Sequence, residues 1–262
     1  MVRDLIIILG DQLSLDISSL EKIRKNEDKI LMMEVSNEIE YANHHKKKLV
    51  LIFSAMRHFA NELKKNGFDI TYVEFDKSEE NFTQELERQC KKLNPKSIKI
   101  THPSEYRVLD EVKKWEKVLG ITVTVLEDSR FFCKMDEFSD WANSRKELKM
   151  ELFYQKMRKK YDVLIDDEGK PVGGKWNYDI KNRNRLPKNH SKIPNPLVCK
   201  PDKITKRVIS QLREKHTKHF GDLEPFWFAT TREDAVKSLD DFIQNRLEFF
   251  GPYEDAMKEN EK

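Results

Sequence analysis

The residues best suited to chemistry stand in short clusters, each directly after an apolar run. Gly10, Asp11 and Gln12 follow Leu5–Leu9; Ser36, Asn37, Glu38, Glu40 and Tyr41 follow Ile30–Val35. A carboxylate such as Glu38 accepts hydrogen bonds from hydroxyl or ring N–H groups, and an amide such as Gln12 both donates and accepts. Such groups suit the reading of a polar ligand. A third cluster, His44-His45-Lys46-Lys47-Lys48, opens an amphipathic helix expected from an Asn43 N-cap to about Asn66. Cations there face the positive end of the helix dipole, at a cost of a few tenths to about 1 kcal/mol each when exposed. Places where local rules fail are enriched in function. His44, Lys47 and Lys48 are therefore candidates for gathering an anion or a ligand tail with the backbone N–H groups. The other reading is a solvated basic face.

Bond-making chemistry has no comparable signal. The chain contains no P-loop, GxGxxG, GxSxG or HExxH, and a single glycine at position 10 is too few for a pyrophosphate cradle. Adjacent histidines on a helix point apart, so His44 and His45 do not suggest a metal site. No catalytic residue and no metal ligand is expected.

The clusters need a scaffold to bring them together. Leu5–Leu9 reads as a strand buried on both faces, the kind found inside a parallel sheet. Further strands are expected at Ile30–Val35, Ile70–Phe75, Ser97–Ile100 and Ile121–Leu126. Between them fall three helices. One carries Leu49, Ile52, Phe53, Met56, Ala60 and Leu63 at three-and-four spacing. One spans Asn81–Leu93 and closes at Asn94-Pro95. One is expected to be capped by Ser104 and ended by Gly120. The alternation predicts an α/β fold: a five-stranded, doubly wound parallel sheet with right-handed crossovers and the first strand central. Ligands of such sheets bind beyond the carboxyl ends of the strands. Gly10, Asp11, Gln12, Glu38 and Tyr41 then fall side by side in one pocket, with His102 beside Pro103 reading as a turn residue.

From Met135 the pattern turns helical, with Asp136–Arg145 and Lys146–Tyr161 as helices and Asp166–Pro196 as a long irregular stretch. Arg183, Arg185, Lys188, His190 and Lys192 make that stretch basic, with Trp176 and Tyr178 nearby. It reads either as a solvated linker or as a surface able to approach nucleic acid. Lys203–Lys215 is expected as a helix. Another is expected from a Thr231/Asp234 capping box, with Leu239, Phe242, Ile243 and Leu247 as its stripe and Gly251-Pro252 as its stop. Phe226, Trp227, Phe228, Phe249 and Phe250 either cover the α/β domain or form surface for a missing partner. The expected organisation is residues 1–134 as the α/β domain, 135–200 as helices and linker, and 201–262 as the start of a helical region.

Composition narrows the class. The 49 Lys and Arg nearly cancel the 46 Asp and Glu, leaving +3, which argues neither for nor against nucleic acid. No apolar run approaches the ~20 residues of a membrane span. Met-Val-Arg-Asp leads straight into a strand, and Cys90, Cys133 and Cys199 lie far apart. Those features predict a cytoplasmic protein with reduced thiols, no signal peptide and no membrane partner.

Several ordered motifs resemble one family. They are Gly10-Asp11-Gln12-Leu13, the Glu38/Tyr41 pair, His44-His45-Lys46-Lys47-Lys48 and Phe53-Ser54-Ala55-Met56-Arg57-His58-Phe59. Further on come Glu105-Tyr106-Arg107, Arg130-Phe131, Met150-Glu151-Leu152-Phe153-Tyr154, Pro171-Val172-Gly173-Gly174-Lys175-Trp176-Asn177 and Pro201-Asp202-Lys203-Ile204-Thr205. Together they resemble the N-terminal part of the prokaryotic photolyase-related proteins, the iron–sulfur bacterial photolyases and cryptochromes. The resemblance implies a photolyase-like antenna domain holding 6,7-dimethyl-8-ribityllumazine. Its pocket would use Gly10, Asp11, Gln12, Glu38, Tyr41, Ile52 and Met56. The family's FAD and four-iron–four-sulfur cluster belong to a helical domain beyond the residues matched here, and no residue of this chain is assigned to them. DNA would be met only through the complete protein, with a separate FAD-domain chain as a candidate partner. This chain alone is expected to be inactive in light-dependent DNA repair. The alternatives are a stand-alone small-molecule-binding or light-sensing module, and a nucleic-acid-binding module built on the basic linker.

Overall fold

The computed structural model describes residues 2–186, 194–215 and 218–256. Lys188, His190 and Lys192 of the basic stretch lie outside the described residues.

The apolar runs form five parallel strands: β1 (Asp4–Ile7), β2 (Lys29–Met33), β3 (Ile70–Val73), β4 (Ser97–Thr101) and β5 (Thr122–Leu126). Their order in the sheet is β3-β2-β1-β4-β5, so the first strand is central, as the sequence predicts. Register places Ile6 beside Ile30 and Lys99, and Ile7 beside Leu31 and Ile100. Strand side chains alternate between faces, and two cores follow. Ile6, Ile8, Ile30 and Met32 point to one face, covered by α2 (Lys46–Lys65) through Phe53, Met56, Phe59 and Leu63. Leu5, Ile7, Leu31 and Met33 point to the other. There α3 (Phe82–Leu93) contributes Leu86, and α4 (Tyr106–Leu119) contributes Val108, Val112 and Trp115. Burying each such side chain contributes roughly 1.5–3 kcal/mol, which is why three isoleucines in a row mark the centre of the sheet.

Helix boundaries differ from expectation where tertiary partners intervene. A five-residue helix, α1 (Ser36–Glu40), occupies the segment after β2. It delays α2, whose N-cap is His45 and not Asn43: the His45 Nδ1 accepts from the Lys47 N–H at 3.0 Å. The Lys46 N–H donates to the Phe220 carbonyl at 3.0 Å, a partner 174 residues away. Likewise α4 is capped at Glu105 and not Ser104, without a side-chain cap. Asn94 and Gly120 both terminate helices in the left-handed conformation, as expected for C-caps.

The chain divides into two compact units, 1–130 with 198–235, and 131–197 with 236–262. In the first, α7 (Lys203–Lys215) adds Val208, Ile209 and Leu212 to the α2 core, and Phe226 is buried there with Leu223 and Phe228 against it. A buried network fastens α7. The Arg57 guanidinium donates to both oxygens of Glu34 at 2.8 and 2.9 Å and to Gln211 at 2.6 Å. The Tyr72 hydroxyl and the Phe75 N–H also donate to Glu34. Burial works against charge on Arg57, but the Glu34 pair overrides it and raises its pKa; burial and Glu34 together raise Tyr72.

The second unit holds α5 (Met135–Asn143) and α6 (Met150–Tyr161), joined by a Phe138, Trp141 and Phe153 cluster with ring centroids 4.9–5.7 Å apart. Among the described residues, the long stretch from Asp166 is irregular apart from a bridge between Ile165 and Pro171 and a 3-10 turn at Asp179–Lys181. The Thr231 hydroxyl accepts from the Asp234 N–H at 3.1 Å and opens α8 (Arg232–Asn245). The stop expected at Gly251-Pro252 is not one. Arg246 leaves helical geometry first (φ −134°), and α9 (Leu247–Tyr253) runs through Pro252. A helix so short sacrifices a single internal hydrogen bond to proline. Among the described residues no helix is long and apolar enough to cross a membrane.

Candidate functional site

The candidate residues gather at the carboxyl end of the sheet in two groups. The first is apolar. Gly10 ends the β1 run, and a Cβ there would lie 3.1 Å from the Met56 Sδ and 3.3 Å from an Ile52 methyl carbon. Glycine at 10 therefore lets α2 approach the strand end closely. Met56 is buried, while Ile52 is half-buried and keeps an accessible side. The sequence pattern treats both as core, and only their meeting with Gly10 sets them at the strand end.

The second group is polar. Glu38, on α1, is gripped by Arg107 from the first turn of α4, with N–O distances of 2.8 and 2.9 Å. Arg107 also pairs with Glu105 at 2.8 Å and lies 4.3 Å from the Tyr41 ring centre. Hydrogen bonding to Glu38 raises the pKa of Arg107. A bidentate guanidinium–carboxylate pair fixes orientation as well as charge. The sheet order β2-β1-β4 means that this pair, formed by the segments after β2 and β4, bridges across the end of β1. Tyr41 meets the His44 ring edge-on at 4.9 Å, and His44 Nδ1 lies 3.2 Å from Lys48 Nζ. His44 stacks with His219 at 6.5 Å. Burial first, then Lys48 and His219, hold its pKa below the ordinary imidazole value. Lys47 is half-buried in the first turn of α2.

Two expected residues take supporting roles. Gln12 is fully buried; its side-chain oxygen accepts from the Leu9 N–H at 3.2 Å and its NH2 donates to the Thr101 carbonyl at 2.9 Å. It ties the end of β1 to the end of β4. Asp11 is exposed, and its carbonyl accepts from Arg130 at 2.7 Å. Arg130 in turn pairs with Asp128 at 2.6 Å and lowers its pKa. Arg107 is the residue that sequence reasoning misses as a site member. It was visible as a cation after a strand, but its grip on Glu38 spans 69 residues. His219, Phe220 and Gly221 are missed too: the Phe220 ring packs edge-on against His45 at 5.0 Å, and a Cβ at Gly221 would collide with that imidazole.

A cavity of about 290 Å³ lies elsewhere, lined among others by Ser18, Ser19, Lys22, Lys99 and Glu127, and includes none of the candidate residues. Among the described residues no cluster of His, Cys, Asp or Glu could hold a metal ion.

A family model, deoxyribodipyrimidine photo-lyase-related protein, matches residues 6–228, from β1 through Phe228. The chain belongs to that photolyase-related family. It is 42% identical over 262 residues to a (6-4) photolyase of Agrobacterium fabrum, covering 99% of this chain and 51% of that protein. It is 25% identical over 144 residues to an uncharacterized protein of Acanthamoeba polyphaga mimivirus, covering 53% of this chain and 71% of that one. The chain thus spans about half the length of its photolyase relative. The family match takes in both groups of the site, Gly10/Ile52/Met56 and Glu38/Tyr41/Arg107.

Proposed function

We propose that this chain holds an antenna pigment, 6,7-dimethyl-8-ribityllumazine, for a photolyase-related protein of light-dependent DNA repair. The observation that carries the reading is the apposition of Gly10, Ile52 and Met56 at the end of β1, with the Glu38–Arg107 pair bridging that same end. The residues fit such a group. Ile52 offers an apolar side to a flat ring, and the thioether of Met56 adapts to aromatic faces. Glu38, fixed by Arg107, keeps acceptor capacity for a ring N–H or a ribityl hydroxyl. Tyr41, Asp11, His44, Lys47 and Lys48 form the polar side that a ribityl tail would meet, while Gln12 holds the turn rigid. When bound, the pigment supplies light absorption and energy transfer; the chain supplies position.

FAD and the four-iron–four-sulfur cluster belong, on this reading, to the half of the family's fold that this chain does not match, on the same polypeptide or a partner. DNA is met only by the complete, cytoplasmic protein. The nucleic-acid reading of the linker is less favoured, because the Trp176 ring already faces Arg158 and Lys159 at 5.1 and 5.2 Å.

The test is a fluorescence titration of the purified chain with ribityl-lumazine. Saturable binding is expected, weakened about tenfold or more by Glu38→Gln (roughly 1.4 kcal/mol) and abolished by Ile52→Trp, with unchanged far-UV circular dichroism. A chain that leaves the pigment spectrum unaltered overturns the proposal.

A further inference from the structure

The sheet face that α2 covers is apolar on β1 and β2 but not on β4. Register pairs Ile6 with Lys99 and Thr101 with Leu126, so Lys99, Thr101 and Leu126 lie on the side of Ile6 and Ile8. The cover over β4 is a 3-10 turn, Ser18–Leu20, in place of a helix. Such a turn is about 6 Å long, against about 30 Å for α2. Beside it lies the cavity of about 290 Å³, lined by this turn, the residues after it, and β1, β4 and the end of β5.

The turn is held firmly. The Thr101 hydroxyl accepts from the Ser19 N–H at 3.1 Å and donates to the Ser19 hydroxyl at 3.0 Å, and Ser18 Oγ lies 3.1 Å from it. Asp28, also in the lining, accepts from the Arg3 guanidinium at 2.7 Å and from the Asp4 and Arg24 N–H groups at 3.2 and 2.7 Å. Its carboxylate is occupied. Other groups keep hydrogen-bonding capacity. An ammonium has three donors, and Lys99 uses one of them on Asp4 at 2.7 Å. Ser19 is 3% exposed and accepts from Thr101, which leaves its own O–H to donate. Glu127 and Ser129, after β5, add acceptors.

We infer that this cavity is a second ligand site and that it takes a neutral ribonucleoside. The charge pattern selects a neutral ligand: Glu21 and Glu127 disfavour an anion, and Lys22 and Lys99 disfavour a cation. Ile6, Ile23 and Leu126 supply an apolar side for a flat ring, while the lysine, serine and glutamate groups offer both donors and acceptors to hydroxyls. The volume stands at the lower end of the roughly 300–1,000 Å³ of small-molecule pockets, which suits a nucleoside and not a dinucleotide. The cavity shares no residue with the strand-end pocket, so this site and the pigment site fail separately.

The test is isothermal titration calorimetry of the purified chain with adenosine and uridine. Saturable binding of at least one is expected, weakened about fivefold in its 2′-deoxy form and weakened further in its 5′-monophosphate. Lys99→Met should weaken binding about tenfold. Leu126→Trp, which fills the cavity, should abolish it while leaving the lumazine titration and far-UV circular dichroism unchanged. Absence of binding by both ribonucleosides at millimolar concentration overturns the inference, as does binding indifferent to Leu126→Trp. A monophosphate that binds more tightly than its nucleoside overturns it in favour of an anion site. Glucose binding as tightly as the nucleoside overturns the need for a flat ring. Loss of lumazine binding in Leu126→Trp gives the cavity to the pigment and overturns the inference too.

Discussion

Helices α7 and α8 carry nearly the same sequence signal and meet opposite fates. Each has an apolar stripe at helical spacing: Val208, Ile209 and Leu212 on one, Val236, Leu239 and Ile243 on the other. The first stripe is 0–5% exposed and belongs to the core under the sheet; the second is 41–55% exposed. The difference is not hydrophobicity. Around α7 the structure provides both an apolar face on α2 and a polar lock, since Gln211 accepts from Arg57 at 2.6 Å and Arg207 pairs with Glu74 at 2.7 Å. Neither α8 nor α9 has a buried residue. Periodicity tells that a face requires cover; it does not supply the cover.

The comparison can be broken most forcefully at its lock. Arg57→Met leaves Glu34, itself 1% exposed, as a buried carboxylate without its guanidinium. Losing one partner of a buried pair costs about 3–5 kcal/mol, so urea midpoints should fall by that equivalent. A loss below about 1 kcal/mol would mean that the network does not hold the sheet and α7 together. Next comes the direct contrast. Leu212→Ala should cost about 2–4 kcal/mol, within the range for buried leucines, whereas Leu239→Ala should change stability by no more than about 0.5 kcal/mol. Equal losses would abolish the distinction between the two helices.

A smaller effect probes the cap that ties α2 to the segment at 218–221. His45→Ala should cost about 1 kcal/mol, as for other lost N-caps, and His45→Asn should restore most of it. The smallest concerns pH. The folded-state pKa of His44 lies below its unfolded value, because burial, Lys48 and His219 disfavour its charge. The folded chain then binds fewer protons than the unfolded one between those two values. Stability contributed by neutral His44 is therefore full above about pH 6.5 and declines as pH falls through that ordinary imidazole value. His44→Gln should flatten that part of the melting-temperature profile, and a profile unchanged by the substitution would remove His44 as its source.

Much of the sheet domain was legible in the residues. Leu5–Leu9 can only be stable buried on both faces, and five such runs alternating with helices leave the doubly wound order with β1 central as the economical topology. Asn94 and Gly120 announced two helix ends, and Thr231 with Asp234 announced a start, because these signals act within a few residues. The sequence likewise put Gly10 and Glu38 at neighbouring strand ends. Contacts between distant segments decided the rest. Ile52 and Met56 reached the strand end only when Gly10 let α2 close on β1. Gln12 turned inward to bond backbone groups at Leu9 and Thr101. Glu38 acquired Arg107, and α2 took its cap from His45 under Phe220. Local sequence determines which backbone and which face a segment prefers, through interactions a few residues long. Which charge meets which, and which apolar stripe is covered, depends on packing between segments that only the tertiary structure brings together.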